Sequence, residues 1–539
     1  MTSRELLTAR AALKGGRWSE AAAGFAAVVD RTDDPRAHDG LAQVAWWRDD
    51  AETALAAREA AYRGFRRAGD RRAAALMAAT LGYDSILFGR GTAVGRGWLA
   101  RAAALLAGDD DLPEVGWLAV RNAEVALNIE GAARVGLVHA RAAESLGRAA
   151  GDDDLVCVGQ ALAGLALVRL GEVTPGMALL DAAAGAATAG DIDDLMWMGK
   201  ICCWLISACQ DAHDLTRAAT WCARVEEICA RHDLAPLFSV CRIQYASVQM
   251  AQGECVEAEA TLSGMLQLLE HSQRSARLEA VAHLGELRRR QGRHDEAETL
   301  LRQAGLQTNA TISRCRLQLS DGDVDLAWST VSELLRILPS DQQLERAEVL
   351  ALVVEVAAAA GRAEEARTMA DELRTIADEV GTDALRAAEA GSRARLSPVG
   401  VDAVALWQDA VRHAVVAGLR FDEAEYRLEY ASCLQALGDH KSVLDQAGRA
   451  LDLLQPLGTG PSIDRARSLL GQRDAGDPLS PRQVDVLRLL ARGLSNADIA
   501  AELFLSEHTV HRHVANIYRT LNVSSRAAAA TYAASHDLI

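Results

Sequence analysis

The stretch Gly292-Arg-His-Asp-Glu-Ala-Glu-Thr-Leu-Leu301 decides how this chain folds. It opens on a glycine, where one helix must stop. An acidic turn follows, which suits the start of a new helix, and then an Ala and a Leu pair at helical spacing. The same form recurs at Gly16-Arg-Trp-Ser-Glu-Ala-Ala, Gly171-Glu-Val-Thr-Pro-Gly-Met-Ala, Gly253-Glu-Cys-Val-Glu-Ala-Glu-Ala, Gly361-Arg-Ala-Glu-Glu-Ala-Arg and Gly438-Asp-His-Lys-Ser-Val-Leu. Weaker turns fit near Asp50, Gly91, Gly131, Asp211, Gly322 and Gly400, giving steps of roughly 30–42 residues, mostly near 40. No stretch alternates with period two, so strands are not expected and the fold class is all-α.

Ala is needed after each turn because paired helices approach closely there, and a larger side chain would push them apart. In these small-residue positions, as in Asp295-Glu-Ala-Glu-Thr-Leu-Leu301, the hairpins resemble tetratricopeptide repeats, although with a longer period and a looser pattern. The resemblance covers most of residues 1–470 and implies a curved solenoid of stacked hairpins. Its inner wall would take a peptide, a partner protein or a small ligand.

Chemistry-bearing residues in this region have bland explanations. Cysteines stand at 157, 202, 203, 209, 222, 229, 241, 255, 315 and 433, with no C-x-x-C pair and no histidine at zinc-finger spacing. They read as small buried hydrophobes, although Cys202/Cys209 and Cys222/Cys229 each share a helical face where a redox or metal sensor is conceivable. All ten tryptophans lie before residue 457, and Trp197, Trp204 and Trp221 are close enough in sequence for an aromatic ligand patch over 197–222. Interhelical packing is the plainer reading of them. Gly89-Arg-Gly-Thr-Ala-Val-Gly-Arg-Gly97 lacks the preceding strand and the G-K-[ST] ending of a phosphate loop. No H-E-x-x-H, G-x-S-x-G or metal-spaced carboxylate cluster occurs, so neither an enzymatic activity nor a cofactor is expected.

The pattern changes near residue 457. Leu457-Gly-Thr-Gly-Pro-Ser462 breaks the last hairpin, a short helix fits from Ile463 to about Arg473, and Asp474-Ala-Gly-Asp-Pro478 reads as a linker. Ser480-Pro-Arg-Gln483 then caps a helix from Pro481 to about Arg492, with Val484, Leu487, Leu490 and Ala491 on its apolar face. Ser495-Asn-Ala-Asp498 starts a short helix through Leu503, with Ile499 and Leu503 inward. After the turn Phe504-Leu-Ser506, Ser506 caps a third helix, Glu507 to Leu521, whose Val510, Val514, Ile517 and Leu521 share one face. The opposite face carries His508, Arg512, Ala515 and Arg519, flanked by Thr509 and His511. Asn522-Val-Ser-Ser525 ends it, and an Ala-rich fourth helix runs from about Ser525 to Ser535.

A short helix, a tight turn and a longer helix with a basic, short-sided outer face suit the DNA major groove, which is ~12 Å wide and admits one helix. Residues 477–539 closely resemble the C-terminal helix-turn-helix of LuxR-type transcriptional regulators. The carrying stretches are Leu479-Ser-Pro-Arg-Gln-Val-Asp-Val-Leu-Arg-Leu-Leu-Ala-Arg-Gly-Leu-Ser-Asn-Ala-Asp-Ile-Ala500, Leu505-Ser-Glu-His-Thr-Val-His-Arg-His-Val-Ala-Asn-Ile517 and Leu521-Asn-Val-Ser-Ser-Arg526. The resemblance implies that His511, Arg512 and Ala515 face base edges. It implies phosphate contacts at Thr509 and, from the start of the second helix, Asn496, and pairing of two subunits through the fourth helix at Ala528, Ala529 and Tyr532. Arg488, Arg492, Arg519 and Arg526 are further phosphate candidates. Many family members carry Lys at the positions of His511 and Ala515, so here the base reading falls to Arg512, which can bond a guanine bidentately.

With 57 Lys+Arg against 74 Asp+Glu the net charge is −17, a balance that by itself repels nucleic acid. Residues 477–539, however, hold six Arg (482, 488, 492, 512, 519, 526) and six acids (477, 485, 498, 502, 507, 537), so the whole excess lies before them. The acidic repeats could hold DNA off until they are positioned away. Met1-Thr-Ser-Arg-Glu5 puts a charge pair where a signal peptide needs an apolar run, and no span approaches the ~20 apolar residues a membrane helix requires, so a cytoplasmic protein is expected.

The expected organisation is a repeat sensor over 1–456, a short helix and linker over 457–476, and a DNA-binding domain over 477–539. No phosphate loop precedes the repeats, unlike in those large LuxR-type regulators that carry an ATPase. The expected function is a transcriptional regulator that reads an inverted-repeat operator as a homodimer, under control of a ligand or protein bound by the repeats. The competing expectation is a scaffold in which the repeats carry the function.

Overall fold

At Gly16, Gly171, Gly253, Gly292, Gly361 and Gly438 the backbone takes φ between 70° and 86°, the left-handed region open to glycine at little cost. Asp49 (φ 58°) and His213 (φ 56°) do the same work at the turns near Asp50 and Asp211. Each turn folds one helix back on the next, as in Asp153–Arg169 with Val173–Ala189 and Ala276–Arg290 with His294–Ala304. The computed structural model describes residues 2–535 except 193, 233–234, 273, 275, 472–478, 480, 504 and 522. Among the described residues the chain is helical and has no strand. It divides into two compact units, 1–470 and 471–539. No helix among them is long and apolar enough to cross a membrane.

The two helices of a hairpin have different burial because they have different neighbours. Asp153–Arg169 buries Leu155, Val158, Leu162, Leu165 and Val168 together with most residues between them. Its partner Val173–Ala189 buries Gly176, Met177, Leu180, Ala183, Ala184 and Ala187, a single stripe of mostly small residues. The first helix of each pair is thus sandwiched between hairpins, whereas the second lies along the outside. Each Leu or Ile so enclosed contributes about 1.5–3 kcal/mol. This hairpin closes tightly at Gly164 and Gly176: a Cβ on either would lie 2.7 Å from the other's carbonyl oxygen, so even alanine would wedge the pair apart.

Successive hairpins coil until the first unit meets itself. Arg274 donates from Nε to Asp49 Oδ1 (2.7 Å) and from its terminal nitrogen to the Trp46 carbonyl (2.7 Å), across 225 and 228 residues of chain. Gln342 donates to the Gly131 carbonyl across 211 residues, and Thr459 to the Gln291 carbonyl across 168 (3.2 Å). One superhelical turn therefore takes on the order of five hairpins, and consecutive turns touch. The short helix after the last hairpin spans Pro461–Leu469 and packs within this unit, burying Ile463 and Ala466.

The cysteines described, Cys157, Cys202, Cys203, Cys209, Cys222, Cys241, Cys255, Cys315 and Cys433, are buried and unbridged. Burial raises the thiol of Cys157 to about 11 and that of Cys222 to about 12, which removes the thiolate that redox chemistry needs. Trp197 and Trp204 are buried with ring centroids 6.4 Å apart. Trp221 donates its indole N–H to Asp181 (3.3 Å), whereas Trp197 stacks on Trp117 (5.1 Å). The tryptophans thus gather around Trp117 and Trp197 rather than along 197–222.

The second unit has its own core. Val484, Leu487, Leu490, Ile499, Val510, Val514 and Ile517 are joined there by Val486 and Leu489, and by Ala529 and Ala533 from the last helix. Its helices are Pro481–Ala491, Asn496–Leu503, Glu507–Thr520 and Arg526–Ser535. The side chains of Cys229 and His508, the Ser480, Phe504 and Asn522 positions, and the linker expected over 474–478 lie outside the described residues.

Candidate nucleic-acid interface

Ser506 sets the start of the long third helix. Its φ of −77° and ψ of 151° are extended, and its Oγ accepts the Thr509 N–H (3.1 Å), satisfying one orphan donor of the first turn. Val510, Val514 and Ile517 then bury one face against the domain core. What remains outward is a line of His511, Ala515 and Arg519, all exposed, with Arg512 half-buried beside it. The wheel drawn from sequence centred that face on Arg512. Packing turns it so that His511 stands further out. The Arg519 guanidinium rests on Asn516 Oδ1.

The short second helix begins with a reciprocal cap: Ser495 Oγ accepts the Asp498 N–H (3.2 Å), and Asp498 Oδ2 accepts the Ser495 N–H (3.1 Å) and hydroxyl (2.6 Å). These bonds hold the Asp498 carboxyl below its ordinary range. Two arginines close helix ends instead of facing outward. Arg482 donates to the Leu503 carbonyl at the end of this helix (2.6 Å). Arg526 donates to the carbonyls of Leu494 and Leu490 and to Asn496 Oδ1 (3.4 Å).

Three expectations change accordingly. Arg526 is withdrawn from the phosphate set, because its guanidinium is held by main-chain carbonyls at the end of the first helix. Thr509 is withdrawn too: it is 8% exposed and its hydroxyl lies 2.6 Å from Ser506 Oγ inside the cap. Ala529 is fully buried in the domain's own core and cannot also cover a second subunit. Ala528 and Tyr532 are half-buried. Asn496 is half-buried, with Oδ1 turned to Arg526, and Arg488 and Arg492 are exposed. A double role for Arg526 as charge and as clamp is not visible from spacing, because its acceptors lie 32 and 36 residues earlier in the chain.

Arg526→Ala is expected to lower the stability of the 471–539 unit by about 1–2 kcal/mol through loss of these bonds, measured by thermal melting. The salt dependence of DNA binding should stay unchanged. A slope smaller by about one would return Arg526 to the phosphate contacts.

The sequence profile of bacterial regulatory proteins of the luxR family matches residues 477–533. A nitrate/nitrite response regulator protein homolog of Haemophilus influenzae is 57% identical over 53 residues, 10% of this chain and 26% of that protein. The transcriptional regulatory protein MctR of Rhizobium johnstonii is 29% identical over 147 residues, 26% of this chain and 67% of that protein. This chain thus spans about a quarter of the Haemophilus relative. Among solved structures, a Rap protein complexed with competence and sporulation factor is similar over 62% of this chain and 96% of that one, with 12% identity and a TM-score of 0.49. With a capped third helix, its short partner and a core of its own, the segment 477–533 is a LuxR-family helix-turn-helix domain, preceded in the chain by a region of stacked helical hairpins.

Proposed function

We propose that the protein is a cytoplasmic transcriptional regulator that reads an inverted-repeat operator as a homodimer. The observation that carries this reading is the outward line His511, Ala515 and Arg519, with Arg512 beside it, on a helix fixed by the Ser506 cap. His511, Arg512 and Ala515 face base edges; Asn496, Arg519, Arg488 and Arg492 lie toward phosphates; Ala528 and Tyr532 of the last helix contribute to pairing. The three-part organisation 1–456, 457–476 and 477–539 assigns control to the repeats, whose occupancy by a ligand or protein changes how freely two readers pair. No catalytic role is assigned.

The test is binding of the full chain to DNA selected from a random pool, measured by anisotropy over a range of salt. A selected site with two-fold symmetry, bound with a steep salt dependence, is expected. Binding without salt dependence or sequence preference would favour a scaffold whose repeats carry the function.

A further inference from the structure

The turn after Pro35–Trp47 departs from the others in the array. At Gly16, Gly171, Gly253 and Gly292 the left-handed position is glycine, whereas here it is Asp49, with φ 58°. That conformation costs an L-residue what it does not cost glycine, so the geometry of the turn does not select a carboxylate. Its contact does. Among the described residues the Asp49 carboxylate has one bonded partner, Arg274 Nε at 2.7 Å, which comes from the connection between Cys255–Leu268 and Ala276–Arg290.

Arg274 is 5% exposed, and what surrounds its guanidinium is specific to that group. A terminal nitrogen donates to the Trp46 carbonyl (2.7 Å) at the end of Pro35–Trp47, where the helix dipole favours a cation. The guanidinium carbon lies 4.2 Å from the centroid of Trp46 and 5.3 Å from that of Phe88, both buried. A planar fork can bond a carboxylate and a carbonyl at once while stacking on aromatic faces; the point charge of a lysine cannot. The walls also stand without their occupant. Pro35–Trp47 packs on Thr2–Lys14, Trp18–Thr32 and Ala51–Arg67, and Arg71–Leu87, which leads into Phe88, packs on Ala51–Arg67, Thr92–Leu106 and Pro113–Asn128. All of these belong to the first superhelical turn, whereas Arg274 arrives from 225 residues beyond Asp49.

We propose that Trp46, Asp49 and Phe88 form an arginine-recognition pocket that Arg274 fills as an internal ligand, and that an arginine side chain of a peptide or protein partner takes its place. A guanidinium carried on the same chain competes at an effective concentration on the order of millimolar. A partner therefore displaces it once it adds contacts beyond the one side chain. Exchange unties the start of Ala276–Arg290 from the first turn and loosens the closure of the superhelix. As a control site of the repeats the assignment rests on the regulatory reading above; as a pocket it stands alone.

The test uses the full chain and three probes of matched length, titrated by calorimetry: Nα-acetylarginine amide, its uncharged isostere Nα-acetylcitrulline amide, and Nα-acetyllysine amide, which keeps the charge without the fork. Arg274→Ala empties the pocket and is expected to bind the arginine probe saturably, one to one, at roughly millimolar concentration. The other two probes should bind it at least tenfold more weakly. The parent chain, with its pocket filled, should bind the arginine probe at least tenfold more weakly than the variant does. Arg274→Ala combined with Asp49→Asn should lose the binding by at least the same factor, since asparagine tolerates the left-handed turn but lacks the charge. If Arg274→Ala does not fold alone, the arginine probe should restore its helical circular dichroism and the citrulline probe should not. Equal binding to parent and variant, equal binding of the citrulline or lysine probe, an unchanged double variant, or neither saturation nor restoration would each overturn the assignment.

Discussion

On the proposed reading of an inverted repeat, Arg512→Ala is expected to weaken binding to the specific operator by about 1–3 kcal/mol for each half-site, the worth of one bidentate guanine contact in each. Both half-sites of an inverted repeat carry the change, so the summed loss is about 2–6 kcal/mol, or on the order of 30-fold to 10⁴-fold. Affinity for random DNA should change little, since phosphate contacts supply that term. Equal losses on specific and random DNA, measured by anisotropy at one salt concentration, would make Arg512 a phosphate contact. The structure sharpens this expectation. Arg512 is half-buried beside the exposed His511 and Ala515, so its stem is steadied by packing and less side-chain freedom is lost on reaching a base. His511→Ala, at the more exposed position, is the natural comparison. A larger loss there than at Arg512 would move the reading centre by one residue along the helix.

The second large effect lies in the repeat region. Glu124 is fully buried. It accepts from Arg121 (2.6 Å) and from Lys200, so one carboxylate is shared by two buried cations, with Asp84 as a second negative charge nearby. Glu124→Gln keeps the shape and removes the charge. Removing the charge that two buried cations share is expected to cost about 3–5 kcal/mol, read as a lowered urea midpoint with the same slope. Adding Lys200→Met should recover part of the loss, because the two residues act as a unit. An unchanged midpoint in Glu124→Gln would show that water reaches the cluster.

The same cluster dictates a pH dependence. Burial pushes the Lys200 ammonium down to about 8, against the pull of Glu124. An unfolded lysine keeps its proton up to about 10.4. Between these values the unfolded chain binds more protons than the folded one, so this residue's contribution to stability rises with pH from about 8 to about 10.4. The rise should be absent in Lys200→Met. A parent and variant with parallel stability curves over that window would refute it.

Legibility from sequence followed the range of the interactions involved. Turn positions were readable because a glycine in the left-handed region and an acidic first turn act within a few residues. Gly292, Gly361 and Gly438 each stand where a helix ends. The reader's helices were legible for the same reason, with Ser506 capping and Val510, Val514 and Ile517 on one face. Val486 and Leu489 were not, since a helical wheel with one apolar side hides that Pro481–Ala491 is enclosed from a second side by the last helix. The tryptophans were read as neighbours in sequence, whereas Trp197 finds Trp117 on the inner helix two hairpins earlier.

By itself, then, the sequence determined an all-helical hairpin array, its turn positions, and a C-terminal reader with its capped helices. These follow from propensity, capping and 3.6-residue periodicity, all local terms. Only the tertiary structure decided where the superhelix closes, through Arg274 on Asp49 and Trp46. It alone decided that Arg526 clamps carbonyls, that Ala529 is consumed by the domain core, and that Trp46, Trp47, Trp117 and Trp197 line one cavity. Each depends on groups tens to hundreds of residues apart, whose meeting is set by the summed pitch of many hairpins and leaves no periodic trace in the chain.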